Sequence, residues 1–229
     1  MAATPDPDTV AAASIVVYGR GDSVSDDTVK INVTSRSKEK WTHELSPFFL
    51  GPVTVDLGGG RVYQAARFEN AWQYTKVYAV HADDDNEPTD AYFVWAEAGF
   101  ANPKAVRFPM GRGAKPLYAL WKGRRLGYVE ARLEIYAPLY ADAVRATVGW
   151  GKLKAVYEKA VKSGKKLALF DFDGHNSIAA LGSFERILYN TKRKLGHAFV
   201  LAMLLTGSEP WEAPFDAHKV HATSIGRRR

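Results

Sequence analysis

Residues 65–80 read AARFENAWQYTKVYAV, and the spacing within them sets how the rest of the chain is read. Phe68, Ala71, Thr75 and Tyr78 recur at intervals of three and four, which predicts a helix over 65–80 with these side chains toward a core. On the other side, Glu69, Gln73 and Lys76 fall within an arc of roughly 60° at about 100° per residue. Such polar faces are common on surface helices, where charges pair at these spacings. Trp72, however, lies among them, and a large aromatic is out of place on a solvated face. A carboxylate and an amine beside a tryptophan suit the wall of a pocket. The ring offers a stacking platform and lowers the local dielectric, moving both groups toward catalytically useful pKa values.

On the N-terminal side of this helix lie extended pieces. SIVVYG (14–19) and TVKINVTS (28–35) read as strands from their β-branched residues and alternation. GPVTVDLGGGRVYQ (51–64) is a third, with a triple glycine that permits a tight turn. Helical patterns dominate on the C-terminal side. GYVEARLEIYAPLYADAVRATV (127–148) reads as a helix with a break at Pro138. LKAVYEKAVKSG (153–164) is a helix with a glycine stop. FERILYNTKRKLGHAFVLAMLL (184–205) is a helix broken near Gly196. Between them, ADDDNEPTD (82–90) is a polar loop, and AYFVWAEAGF (91–100) fits a helix or a strand equally. RFPMGRGAKPLYAL (107–120) is an ordered loop leading into a helix, and KKLALFDFDGHN (165–176) is a buried strand that releases into an acidic turn. The predicted class is therefore α+β: a single helix-rich domain with a small β-sheet over 13–207, between a flexible tail (1–12) and a basic tail (208–229).

Composition narrows the function classes. The 229 residues are 46% hydrophobic, 12% aromatic and 24% charged, enough for a sizeable core. No apolar run approaches the roughly 20 residues of a membrane-spanning helix. No cysteine is present, which removes disulfides and thiolate metal sites and points to a cytoplasmic location. The formal charge is +6, with the basic residues gathered beyond Pro103. Such a surface favours phosphate, on nucleic acid or on a phosphorylated small molecule.

Three further stretches carry candidate chemistry. In PMGRGAKPLYALW (109–121) the glycines let a phosphate approach the backbone, with Arg112 and Lys115 supplying charge, although the spacing is not that of a P-loop. In LFDFDGHN (169–176), Asp171 and Asp173 follow an apolar strand at i and i+2, a pattern that can hold Mg²⁺ or serve phosphoryl transfer. The residues after the second aspartate do not match a phosphotransferase. The six histidines show no zinc spacing. GRGDS (19–23) contains the adhesion tripeptide but reads as a turn.

The order of these pieces resembles the NADAR (YbiA-like) superfamily, over roughly residues 44–205. ELSPFFLGPV (44–53) is similar to the family's opening element, with Ser46 and Phe48. ENAWQYTK resembles its Glu-x-x-aromatic-Gln-x-x-Lys helix at Glu69, Trp72, Gln73 and Lys76. MGRGAKPLYALW looks like its Met-Gly-Arg loop at Met110, Gly111, Arg112, Lys115 and Trp121, and NTKRKLGHAFVLAML (190–204) like its closing element, with Asn190 and Lys194. The family's acidic Trp-Gly stretch has only FDFDGHN as a counterpart, so the chain looks like a divergent member.

The resemblance implies an N-glycosidase, a hydrolase that cleaves a ribosyl– or ADP-ribosyl–nitrogen bond, with ADP-ribose on guanine in DNA or a ribosylated nucleobase as substrate and no cofactor or metal. Such cleavage passes through an oxocarbenium-like state that needs a carboxylate near C1′ and an acid opposite. Glu69 is expected in the first role and Asp171 or Asp173 in the second. Lys76 is expected either to attack the opened sugar as a Schiff base or to hold a hydroxyl or phosphate. Phe48, Trp72 and Trp121 are expected to stack a base, and Arg112 with Lys115 to hold a diphosphate. The competing readings are a non-catalytic nucleic-acid or nucleotide-binding module, a DNA glycosylase for another modified base, and a Mg²⁺-dependent phosphotransferase on Asp171 and Asp173. The oligomeric state is left open.

Overall fold

The computed structural model describes residues 14–176, 181 and 183–220. The expected tail over 1–12 and the terminal run of arginines lie outside the described residues. The class is α+β, as the sequence predicts. Where one domain was expected over 13–207, the chain packs as two compact units. Pro47–Ala143 forms one, and the described residues on either side of it form the other.

The flanking segments build a three-stranded parallel sheet from β1 (Ile15–Tyr18), β2 (Thr28–Asn32) and, counted along the whole chain, β8 (Lys166–Phe170), in the order β1-β8-β2. Leu169 lies opposite Val17 on one neighbour and Ile31 on the other. In β8, Leu167, Ala168 and Leu169 are consecutive and all fully buried. Successive strand residues point to opposite faces, so both faces of the sheet centre are covered. Helix α7 (His197–Thr206) is buried over its first eight residues, as an all-round apolar helix must be. Helix α5 (Val148–Lys162) starts at the Thr147 side-chain cap and packs against β8 and the 3₁₀ turn Lys40–Leu45. The first part of the basic tail, as far as 220, packs on this unit: Phe215 stacks on Tyr189 and Lys219 pairs with Glu185 at 2.6 Å. Both partners belong to or border the short helix α6 (Phe184–Tyr189).

In the Pro47–Ala143 unit, β3 (Val53–Asp56) and β4 (Val62–Ala65) form an antiparallel hairpin around the triple glycine. Gly58 has φ +87°, and a Cβ there would run into the backbone of Gly123, so only glycine fits. A second sheet joins β5 (Lys76–Val77), β6 (Tyr118–Trp121) and β7 (Arg124–Leu126). The segment after the 107–117 loop is thus a strand, not the expected helix. The undecided 91–100 stretch is helical, as α2 (Asp90–Ala101). Nor does the chain break at Pro138. After α3 (Tyr128–Ala131) the helix widens into a π turn over Arg132–Tyr136 and continues as α4 (Ala137–Arg145). The Ala137 N–H reaches back five residues to Arg132, which accommodates a proline that an ordinary α turn would not.

Candidate functional site

Helix α1 (Phe68–Tyr74) is shorter than the periodicity over 65–80 predicts. Its first turn is held by tertiary partners: the N–H groups of Phe68 and Glu69 donate to the carbonyls of Leu50 and Pro47. It stops at Tyr74 because the following residues, rich in β-branched and aromatic side chains, pair as a strand. Lys76 lies opposite Ala119 in β6. Lys76 therefore leaves the helix, yet the predicted polar group still assembles. Glu69 and Gln73, 7% and 8% exposed, are joined by Gln73 Nε2 donating to Glu69 Oε1 at 2.8 Å. Lys76 Nζ donates to Gln73 Oε1 at 2.7 Å and lies 4.5 Å from the centre of the Trp72 ring. The result is a continuous chain of carboxylate, carboxamide and ammonium beside an indole.

Behind this chain stands the π turn. Tyr136 meets the half-buried Trp72 edge-on at 5.1 Å and Phe68 at 5.2 Å. From the same turn Arg132, only 1% exposed, donates to the Tyr128 hydroxyl at 2.8 Å, its guanidinium 4.2 Å from that ring. Neither Arg132 nor Tyr136 was among the sequence candidates. The available signal was a charge falling within the apolar stripe Val129, Leu133, Tyr136, Tyr140, all of which are buried.

Asn70, fully buried on α1, was also missed. Its Nδ2 donates to the carbonyls of Asn102 and Lys104, and its Oδ1 accepts from the Val106 N–H. These three bonds fasten the root of the loop carrying Met110, Gly111, Arg112 and Lys115 to the helix carrying Glu69. Gly111 has φ +88° and closes a turn onto the Phe108 carbonyl. Arg112 and Lys115 are exposed and Met110 is half-buried. Of the expected stacking residues in this unit, Phe48 is half-buried, whereas Trp121 is 9% exposed within β6 and presents little face to a ligand.

The remaining candidates belong to the other unit. Ser46, 1% exposed, caps the 3₁₀ turn Lys40–Leu45. Asn190, 9% exposed, uses its Oδ1 to accept from the Lys192 N–H at 3.0 Å, and Lys194 is exposed. Asp173, half-buried, donates its N–H to Asp171 Oδ1 at 3.3 Å. Asp171 itself is 4% exposed, and its Oδ2 accepts from His197 Nδ1 at 3.1 Å and from the Ala198 N–H at 3.2 Å. Burial by itself pushes this carboxyl upward. The charge and hydrogen bond of His197, with the N–H groups of Ala198 and Asp173, outweigh burial and hold it below the usual carboxylate range. His197 Nε2 in turn faces the Val33 carbonyl at 2.8 Å. The ring lies between two acceptors, the Asp171 carboxylate at Nδ1 and the Val33 carbonyl at Nε2. Asp171 is thus a structural residue that links the end of β8, the start of α7 and the end of β2. The adhesion-like GRGD stretch forms the turn after β1, where Asp22 accepts from the Gly19 N–H at 2.9 Å.

Among the described residues, no group of three or more His, Cys, Asp or Glu is placed to hold a metal, and no helix is long and apolar enough to cross a membrane. No family model matches the chain, and neither curated proteins nor solved structures give a match.

Proposed function

We propose that the Pro47–Ala143 unit is an N-glycosidase that cleaves a ribosyl– or ADP-ribosyl–nitrogen bond. The observation that carries this reading is the Glu69–Gln73–Lys76 chain beside Trp72. The resemblance of its residues to the NADAR helix supports it. In the reaction the C1′–N bond breaks, its electron pair leaves with the base, and positive charge grows at C1′ and the ring oxygen. A carboxylate held in a largely buried position stabilises such a charge better than one in water, because little solvent screens it. Glu69 has that placement. Water adds at C1′ and returns a proton, giving the free sugar and the base.

The contacts of Lys76 are those of an ammonium: it donates to an amide oxygen and lies over an aromatic face. Of the two roles expected for it, this favours holding a ribose hydroxyl or phosphate oxygen over attack on C1′. Asp171 is not carried into the reaction, since its oxygens serve His197 and two backbone N–H groups.

The test is incubation of the full chain with an oligonucleotide carrying ADP-ribose on guanine, and separately with a ribosylated base, with products followed by mass. Release of the sugar is expected from wild type. Glu69→Gln, which keeps shape and removes charge, should lower kcat by about 10²–10⁴-fold while leaving substrate binding intact. Equal turnover in the two proteins would refute the role given to Glu69. Absence of turnover on both substrates would refute the reading.

A further inference from the structure

At the carboxyl edge of the parallel sheet, β1, β8 and β2 each run into a turn, and each turn carries one member of a small cluster. Arg20 follows β1, Phe172 follows β8 and Arg36 follows β2. The guanidinium carbons of Arg20 and Arg36 lie 5.2 and 5.7 Å from the centre of the Phe172 ring. Both arginines are exposed and the ring is half-buried. Among the described residues no carboxylate is ion-paired with either guanidinium. The acids that neighbour them in sequence are engaged elsewhere. Asp22 accepts from the Gly19 N–H, Asp26 pairs with Lys30 at 3.1 Å, Asp27 with Lys165 at 3.2 Å, and Glu39 accepts from Trp41 Nε1 at 2.7 Å.

The three turns are ordered by the fold itself. A Cβ on Gly19 would fall on the Gly174 carbonyl oxygen, and one on Gly174 on the Tyr18 carbonyl oxygen, so the ends of β1 and β8 touch through two glycines. After β2, the Thr34 N–H and hydroxyl both donate to Asn32 Oδ1, and the Arg36 N–H donates to Thr34 Oγ1 at 3.2 Å. Much of the entropy of placing the two arginines is therefore lost on folding, before any ligand arrives. Two guanidiniums beside one ring repel each other, and an anion that both contact relieves that repulsion. Their paired N–H groups match the oxygens of a phosphate. In open parallel sheets, ligands gather outside the carboxyl ends of the strands, which is where this cluster stands. We propose that Arg20 and Arg36, steadied by Phe172, bind the phosphate group of a small phosphate ester. A nucleic acid is the poorer match, because Asp22, Asp26 and Asp27 in the same stretch would repel its successive phosphates. The site lies outside the Pro47–Ala143 unit, and the proposal does not depend on the glycosidase reading.

The test titrates the full chain with glycerol 3-phosphate and with phenyl phosphate by calorimetry, beside glycerol and inorganic phosphate. Both esters should bind and glycerol should not. Arg20→Ala or Arg36→Ala should each weaken ester binding about tenfold, and the double variant on the order of a hundredfold. Phe172→Leu, which keeps apolar bulk but removes the ring face, should weaken it about threefold. Lys152→Ala/Lys154→Ala, which removes two cations from α5, should bind as wild type does. Both arginines are exposed, and unchanged thermal unfolding verifies that the variants fold. No binding of either ester at millimolar concentrations would overturn the proposal, as would unaltered affinity in the Arg20→Ala/Arg36→Ala protein. Ester binding lost instead in Arg112→Ala/Lys115→Ala would belong to the other unit and overturn it too. Inorganic phosphate that binds as tightly as the esters would overturn the ester assignment in favour of the free anion. A single-stranded oligodeoxynucleotide held by the same two arginines more tightly than either ester would overturn it in favour of nucleic acid.

Discussion

Gln73 is the residue that makes one unit of the candidate site. A carboxamide can donate from its nitrogen to a carboxylate and accept at its oxygen from an ammonium, and here it does both, to Glu69 and Lys76. Those partners also fix which end of the amide points where, since the reverse orientation would set the carbonyl against the carboxylate. The ammonium character of Lys76 leads to a prediction at this scale. Lys76→Arg keeps the charge and the contact with Trp72 but cannot form an imine. It should retain turnover within about tenfold of wild type, whereas Lys76→Ala should lose roughly 10²-fold, near the value of a charge-assisted hydrogen bond. Borohydride added during turnover should trap no covalent adduct. An adduct detected by mass would restore the nucleophilic role.

Among the elements, α1 shows what the sequence made legible and what it concealed. The amphipathic spacing located Glu69, Trp72, Gln73 and Lys76, and the structure brings all four together. It could not show that the helix ends at Tyr74, because the competing strand depends on β6, more than forty residues away. For the same reason 107–120 read as the approach to a helix: Tyr118–Trp121 becomes a strand only against β5 and β7. At Asp171 the acids after β8 were visible, but not that His197 would come from α7 to occupy one of them. Gly196, just before α7, records that closeness, since a Cβ there would fall on the Asp171 carboxylate. Gly196→Ala should therefore displace a buried ionic partner and cost about 3 kcal/mol or more, readable as a lowered urea midpoint. The same pair sets acid sensitivity. Because folding holds the Asp171 carboxyl below its unfolded value of about 3.9, its stabilisation is present above that pH and lost as pH falls through the lower folded value. The stability gap between wild type and Asp171→Asn should be open at pH 5 and close as pH drops below about 4. A gap independent of pH in this range would contradict an ionised Asp171.

For the whole molecule, the order of segments along the chain decides what can fold by itself. Pro47–Ala143 is continuous and holds its own core, with Phe68, Ala71, Val77, Tyr92, Ile135 and Tyr140 all fully buried. The other unit is assembled from both ends of the sequence: β8 lies between β1 and β2, and neither of those strands pairs with the other. A C-terminal segment without residues 14–32 leaves β8 with two open edges and its apolar residues exposed. The expected outcome is asymmetric. A fragment of residues 47–145, which completes α4, should unfold cooperatively in urea with a slope of about 1 kcal/mol/M, as suits roughly 100 residues. A fragment from residue 144 onward should be soluble and folded only when residues 1–46 are supplied, on the same chain through a linker or by coexpression. If the 47–145 fragment lacks a cooperative transition, its core depends on the remainder of the chain and the two units are not independent. If it folds, Glu69, Gln73 and Lys76 can be assayed in isolation. Any turnover it retains would then show that the acids of the other unit, Asp171 and Asp173, are not needed for the chemistry.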